Sequence, residues 1–351
     1  MVNRLIASIA MSCAVVAAGS ALAQDLPKQS FKVVGTWSNL TNWQQNEQPF
    51  WAKTVPEASK GQITANIQSL SELGLKGTEI VRMVKLGLFD FAHGLPIYIA
   101  EDAAVEGIDI AGVAKTFGEA RKTVDAYAPI LNATFEKKYG ARPLNYYIWP
   151  SQMFYCNSAI KGLADIKGKK VRVQGTSQGD LVEALGGTGV TIPFAEVVPA
   201  LQRGTVDCGI TGTMPAYKAG WHEVTSHVLT LPVGFSVSFT IVALNTWNKL
   251  DDKTKAFMDG AIKGQTDKWW QVIIDEDTMG LNCTTGTGQC SVGKPGKLVK
   301  VEPTAADNAI LETAMKDVVL KRWAKRCGAD AACISNWNAT AGKVVNLTAA
   351  P

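Results

Sequence analysis

Residues 160–212 read IKGLADIKGKKVRVQGTSQGDLVEALGGTGVTIPFAEVVPALQRGTVDCGITG. A lysine-rich turn leads into a short strand around Val171, and a helix follows after Gly175. A second short strand ends at Pro193, a second helix runs through Ala200 and Leu201, and a third strand closes near Gly212. Strand, helix and strand in succession predict βαβ units and a parallel sheet. Arg172 stands inside the first strand between two valines. Strand alternation turns it away from the valines, either to solvent or into a cleft. In a cleft, its planar fork of donors would match the two oxygens of a carboxylate.

Outward from this stretch, the chain keeps alternating. Residues 31–37 and 62–68 read as strands, and residues 38–48 lead into a helix through Phe50 and Trp51. A helix over 79–86 stops at Gly87, a strand covers 89–92, and His93 to Pro96 form a tight loop. Residues 116–139 are helical, with Pro129 starting a second helix or kinking the first. Residues 142–149 are extended, stop at Pro150, and resume as a strand over 153–156, a first crossing between lobes. Strands over 228–233 and 239–245 follow, the latter a return crossing. Asp251 and Asp252 open a long helix to about Met279, 283–290 is a loop, 297–301 a strand, and 304–326 the final helix. The fold class expected is α/β, with two lobes around a cleft: 24–150 plus 240–280 in lobe I, and 151–239 plus 281–351 in lobe II. Such clefts bind ligands.

Composition narrows the function. The chain has 351 residues, enough for two lobes, and a formal net charge of +4, too weak at this length to argue for nucleic acid. Arg4 precedes an apolar run ending near Gly19, and Ala21-Leu22-Ala23 is a small-x-small cleavage signal. Residues 1–23 therefore read as a secretory signal peptide cleaved after Ala23, which implies an exported protein. Six of the seven cysteines lie beyond it. An even number in an exported chain suggests disulfides. Cys283 with Cys290 and Cys327 with Cys333 are spaced for local bridges. Cys156 and Cys208 can pair if their Cα atoms lie within about 7 Å. No zinc spacing is present, and no cofactor or metal is expected.

One enzyme motif competes. Gly175-Thr176-Ser177-Gln178-Gly179 fits the G-x-S-x-G nucleophile elbow, with Asp207 and then His222 or His227 downstream in triad order. The preceding strand is half charged, unlike a hydrolase's apolar central strand. The alternative role for Ser177 is to help start its helix.

The same central stretch resembles the solute-binding proteins of tripartite ATP-independent periplasmic (TRAP) transporters. Asp165, Lys167, Gly168, Lys170 and Arg172 match that family's lysine-rich lead-in and strand arginine; Pro193, Phe194, Glu196, Ala200, Leu201, Gly204, Val206 and Asp207 match its second motif. Upstream, Leu73-Gly74, Gly87 and Phe89-Asp90-Phe91 match as well. The resemblance implies a non-catalytic, two-lobed receptor that closes on a small organic acid, with Arg172 pairing the ligand carboxylate and membrane permease subunits as partners. Three positions depart from the family pattern. Ser151-Gln152-Met153 stands near a frequent second arginine, Thr211 near a frequent asparagine, and Cys208 replaces a glycine. The missing second arginine counts against a dicarboxylate and for a monocarboxylate; a dicarboxylate or a sugar acid is the alternative ligand.

By the resemblance, Trp37, Trp43, Trp149 and Phe235 border the cleft and suggest an aromatic or apolar ligand body. Asn39, Gln152, Gln174, Thr211 and Thr213 are the candidate polar contacts, and Phe194 is expected to pack beneath Arg172. His93 reads as a structural histidine more readily than as a ligand contact.

Overall fold

The computed structural model describes residues 26–99 and 102–351; the expected signal peptide lies outside them. Eleven strands run in chain order: β1 Gln29–Gly35, β2 Ile63–Ser69, β3 Phe91–Gly94, β4 Ala141–Ile148, β5 Gln152–Cys156, β6 Lys170–Val173, β7 Thr188–Thr191, β8 Cys208–Gly212, β9 His227–Leu229, β10 Val237–Ala243 and β11 Val299–Val301. They form two mixed sheets. One has the order β2-β1-β3-β10-β4 and the other β11-β9-β5-β8-β6-β7. Each keeps a parallel part built by helical crossovers, β2-β1-β3 in the first and β8-β6-β7 in the second. Antiparallel strands β10 and β4 extend the first, and β5 extends the second.

The chain passes between the sheets at residues 149–151, after β4, and again at 230–236, before β10. The helix Asp252–Thr285 touches both sides. Trp270 donates its indole N–H to the Tyr146 carbonyl of β4 (3.0 Å). Further along, Asp277 accepts from the Ser151 amide (2.9 Å) and hydroxyl (2.8 Å) and from Thr213 (2.8 Å). Gly280 lies directly on the backbone of Thr213 and Met214, a contact with no room for a Cβ.

The helix starts where Asp251 accepts from the Lys253 and Thr254 amides. It runs past the expected end at Met279, through Gly280 packed on Thr213 and Met214, to Thr285, and ends where Gly286 takes a left-handed C-cap (φ 72°). Cys283 is therefore helical, not part of a loop. The helix 304–326 is not the final one. Ala331–Trp337 and Asn338–Gly342 follow and pack on the helix Phe117–Thr134. Trp337 is fully buried there and donates to the Gly107 carbonyl (3.0 Å). The expected strand 228–233 shortens to β9, since Pro232 lacks an N–H and Gly234 takes φ 141°. All three cysteine pairs are bonded. Cys156–Cys208 joins directly opposite residues of β5 and β8 across a Cα separation of 4.0 Å, and the other bridges are Cys283–Cys290 and Cys327–Cys333.

Candidate functional site

Arg172 occupies β6, between β8 and β7, and is fully buried. Its Nε donates to the Ile192 carbonyl (2.9 Å) and its Nη1 to the Ile210 carbonyl (2.8 Å). Nη2 has no hydrogen-bond partner, and no carboxylate pairs with the guanidinium among the described residues. Trp221 lies beneath the guanidinium, 5.8 Å from Cζ to the ring centre. This is the place expected for Phe194. Gly209, opposite Arg172 on β8, makes that packing possible, because a Cβ there would sit 2.6 Å from the Trp221 ring. Phe194 instead stacks on the outer side of Trp221, with centroids 6.1 Å apart. Burial lowers the Arg172 pKa to about 10, and the neighbouring Tyr98 phenol partly offsets this. A cation removed from water without an anion is held at a cost.

Arg172 lines a narrow cavity with Trp37, Leu40, Leu95 and Tyr98 from the first sheet's side. Trp149 and Ser236 line it from the crossings, and Gln152, Gln174, Phe194, Thr211, Gly212 and Pro215 from the second sheet's side. Arg172 is the one charged residue in this lining. Trp37, two residues past the end of β1, is central to the aromatic wall. Its ring lies 5.9 Å from Trp149, 5.3 Å from Phe194 and 6.2 Å from Tyr98. On the polar side, Gln152 Nε2 donates to the Pro150 carbonyl (2.8 Å), Gln174 Nε2 donates to Gln152 Oε1 (2.7 Å), and the Ser236 hydroxyl donates to Gln174 Oε1 (2.8 Å).

Of the residues singled out from sequence, Arg172, Trp37, Trp149, Gln152, Gln174, Phe194 and Thr211 share this cavity. Asn39, Thr213, Phe235 and Trp43 lie elsewhere. Asn39 is exposed and reaches only the Lys218 carbonyl, at 3.5 Å. Thr213 spends its hydroxyl on Asp277. Phe235 turns away to pack on Phe117 (4.7 Å) and lines a separate pocket beside Asp109. Trp43 is buried against Gly35. His93 is fully buried, accepts from Trp51 (2.7 Å), and has its pKa lowered by burial to about 3.

Tyr98, Trp221 and Ser236 escaped the sequence reading. Tyr98 follows the C-terminal end of β3 by four residues, and that position is the available signal, since ligands gather beyond strand C-termini in α/β sheets. Ser177 is buried and accepts the Ala111 amide (3.3 Å). His222 stacks on Tyr217 and His227 contacts Ser226, so no triad assembles around Ser177.

The chain matches the profile of the bacterial extracellular solute-binding proteins, family 7 (DctP), over residues 33–326. An uncharacterised protein of Haemophilus influenzae is 27% identical over 159 residues, which span 44% of this chain and 48% of that relative's length. Among solved structures, the Bordetella pertussis extracytoplasmic solute receptor DctP7, binding pyroglutamic acid, superposes with a TM-score of 0.76 at 21% identity, over 88% of this chain and 99% of that one. A TRAP periplasmic solute-binding protein of Desulfovibrio salexigens with bound orotic acid gives 0.80 at 18%, over 90% and 100%. One from Roseobacter denitrificans with bound β-D-glucuronate gives 0.75 at 18%, over 89% and 100%.

Proposed function

Because this chain belongs to the bacterial extracellular solute-binding proteins of family 7, the solute receptors of TRAP transporters, we propose that it captures a small organic acid between its two lobes and delivers it to membrane permease subunits. The observation that carries this reading is the buried Arg172, whose Nη2 lacks a partner at an aromatic cavity. A carboxylate in that cavity would supply the missing anion, and the dry surroundings would strengthen the pair. The remaining wall is aromatic, aliphatic or neutral polar. It offers no second cation, which favours a monocarboxylate with an apolar or aromatic body over a dicarboxylate. Pyroglutamate, orotate and glucuronate, named with the structural neighbours, each carry a single carboxylate.

The lobes in this reading are 24–150 plus 240–280 and 151–239 plus 281–351. The ligand-binding set is Arg172, Trp37, Trp149, Gln152, Gln174, Phe194 and Thr211, joined by Tyr98. The mature chain begins after Ala23 and works in the periplasm, where the solved relatives with orotate and glucuronate act.

A thermal-shift screen over organic acids tests the proposal. An acid at about 100 times its Kd adds about 2.7 kcal/mol of stability. Arg172→Ala should lose on the order of 2–5 kcal/mol of affinity for that acid. Unchanged affinity in this variant would remove the anchor. Ester turnover abolished by Ser177→Ala would instead revive a hydrolase.

A further inference from the structure

We propose that Ser236 is the residue that sets which acids the cavity prefers, by fixing the Gln174–Gln152 amide pair so that both offer N–H donors to an uncharged oxygen close to the ligand carboxylate. The inference rests on the capture of an acid by Arg172.

Ser236 has φ 48°, in the left-handed region. The other described residues with positive φ that are not glycine are Lys60 and Asn346, and neither is buried, whereas Ser236 is. A glycine would take this backbone without strain. Its neighbours hold the geometry. The Trp149 amide donates to the Ser236 carbonyl (2.9 Å), and the Val237 amide donates to Asp109 Oδ2 (3.1 Å). What serine adds over glycine is the hydroxyl, and that hydroxyl donates to Gln174 Oε1 (2.8 Å) inside the cavity. Residues kept in costly conformations gather where their side chain is needed.

The direction of the chain of bonds follows from its far end. The Pro150 carbonyl can only accept, so the Gln152 amide must turn its nitrogen there and its oxygen towards Gln174. Gln174 must then present its nitrogen to Gln152, which leaves its oxygen for the Ser236 hydroxyl. Both amide oxygens are thereby engaged by donors. What each amide has left is the second hydrogen of its nitrogen.

Gln174 is two residues beyond Arg172, just past the end of β6, and both side chains line the cavity. A ligand whose carboxylate meets Arg172 therefore brings a substituent near its carboxylate carbon to these donors. A keto or hydroxyl oxygen completes them. A bare methylene leaves them unpaired, and a second carboxylate meets no cation there. Without the Ser236 hydroxyl, Gln174 Oε1 loses its donor, the Gln174 side chain is held only by its N–H to Gln152 and can swing away from the ligand, and the preference is lost.

The test uses Ser236→Gly and Ser236→Ala with matched probes: propanoate against lactate and pyruvate, and phenylacetate against mandelate and phenylpyruvate. Calorimetric titration should show the wild type binding the oxo and hydroxy acids at least tenfold more tightly than their unsubstituted partners. In Ser236→Gly, which suits the left-handed backbone, that ratio should fall below about threefold, chiefly through weaker binding of the oxo and hydroxy acids. Ser236→Ala should give the same ratio. A wild type without the preference, or variants that keep it, would overturn the role of Ser236 and leave capture by Arg172 standing. If none of these acids binds the wild type and none shifts its melting temperature, the capture reading falls, and this inference with it.

Discussion

Replacing Arg172 by methionine separates the cost of the site from its use. In the empty protein the guanidinium is buried without an anion, and burial lowers its pKa from 12.5 to about 10. At about 1.4 kcal/mol per pKa unit, the charged form is held at a cost of roughly 3 kcal/mol. The sign is that of a cation whose folded pKa is lowered, so the cost is fully present at neutral pH and fades only as pH rises through about 10. Methionine removes this cost and the two bonds to Ile192 and Ile210, worth about 1.5 kcal/mol each. The two effects nearly cancel, so the ligand-free variant should unfold within about 1 kcal/mol of the wild type in a denaturant titration. Removing a member of a satisfied buried pair costs about 3–5 kcal/mol by comparison. Ligand at about 100 times its Kd should then raise the wild type by about 2.7 kcal/mol and leave Arg172→Met unmoved. A loss of 3 kcal/mol or more in the ligand-free variant would show that the charge is compensated within the protein, and the argument for a waiting anion site would fail.

Three further outcomes follow from other parts of the molecule. Burial raises the Glu47 carboxyl to about 7 against the hydrogen bonds from Thr36 and Tyr147 that oppose the shift; the folded state therefore binds this proton more tightly, and stability should rise by up to about 3 kcal/mol as pH falls from about 7 towards 4.5, an increment that Glu47→Gln should abolish in denaturant titrations across that range. Replacing both Cys156 and Cys208 by alanine releases a loop with a sequence separation of 52 and should cost about 4 kcal/mol, against about 2 kcal/mol for the pair separated by 7, Cys283–Cys290; equal losses in calorimetry would contradict the loop-closure account. Gly280→Ala places a methyl group against the backbone of Met214, which cannot swing aside, so melting should show a loss of about 1–3 kcal/mol, whereas Gly264→Ala in the same helix, with open space at its Cβ, should be neutral or stabilising.

The parallel parts of both sheets were legible because βαβ units write themselves locally, in β-branched runs, glycine stops and helix caps. Arg172 was legible because a charged residue inside a valine-rich strand needs a reason, and the surrounding motif resembles a family that has one. What escaped depended on tertiary choices. Tyr98 lies in a short turn with no periodicity, and only the position of β3 brings it to the cavity. Trp221 is placed by the missing side chain at Gly209, a relation between residues that no local pattern carries. Ser236 resembles an ordinary loop serine until its φ of 48° is seen. Phe235 packs on Phe117 while the next residue, Ser236, lines the cavity, and Thr213 opens the helix Thr213–Lys218, which turns its hydroxyl to the long helix. The last helices begin inside GADAA, between two cysteines, a stretch that reads as a loop, and their buried Trp337 donates to the Gly107 carbonyl 230 residues earlier while its ring packs on Trp323.

The helix Asp252–Thr285 has 34 residues and is about 50 Å long. It is rooted to the first sheet at Tyr146 and to the second at Thr213 and Met214. One stiff rod fixed in both halves favours a swing about a single line over independent movement of each. In the proposed receptor, occupancy of the cavity would be converted into one angle. A membrane partner gripping both halves would then sense from that angle whether the receptor is loaded, without touching the solute, and the same grip would serve whatever acid the cavity holds.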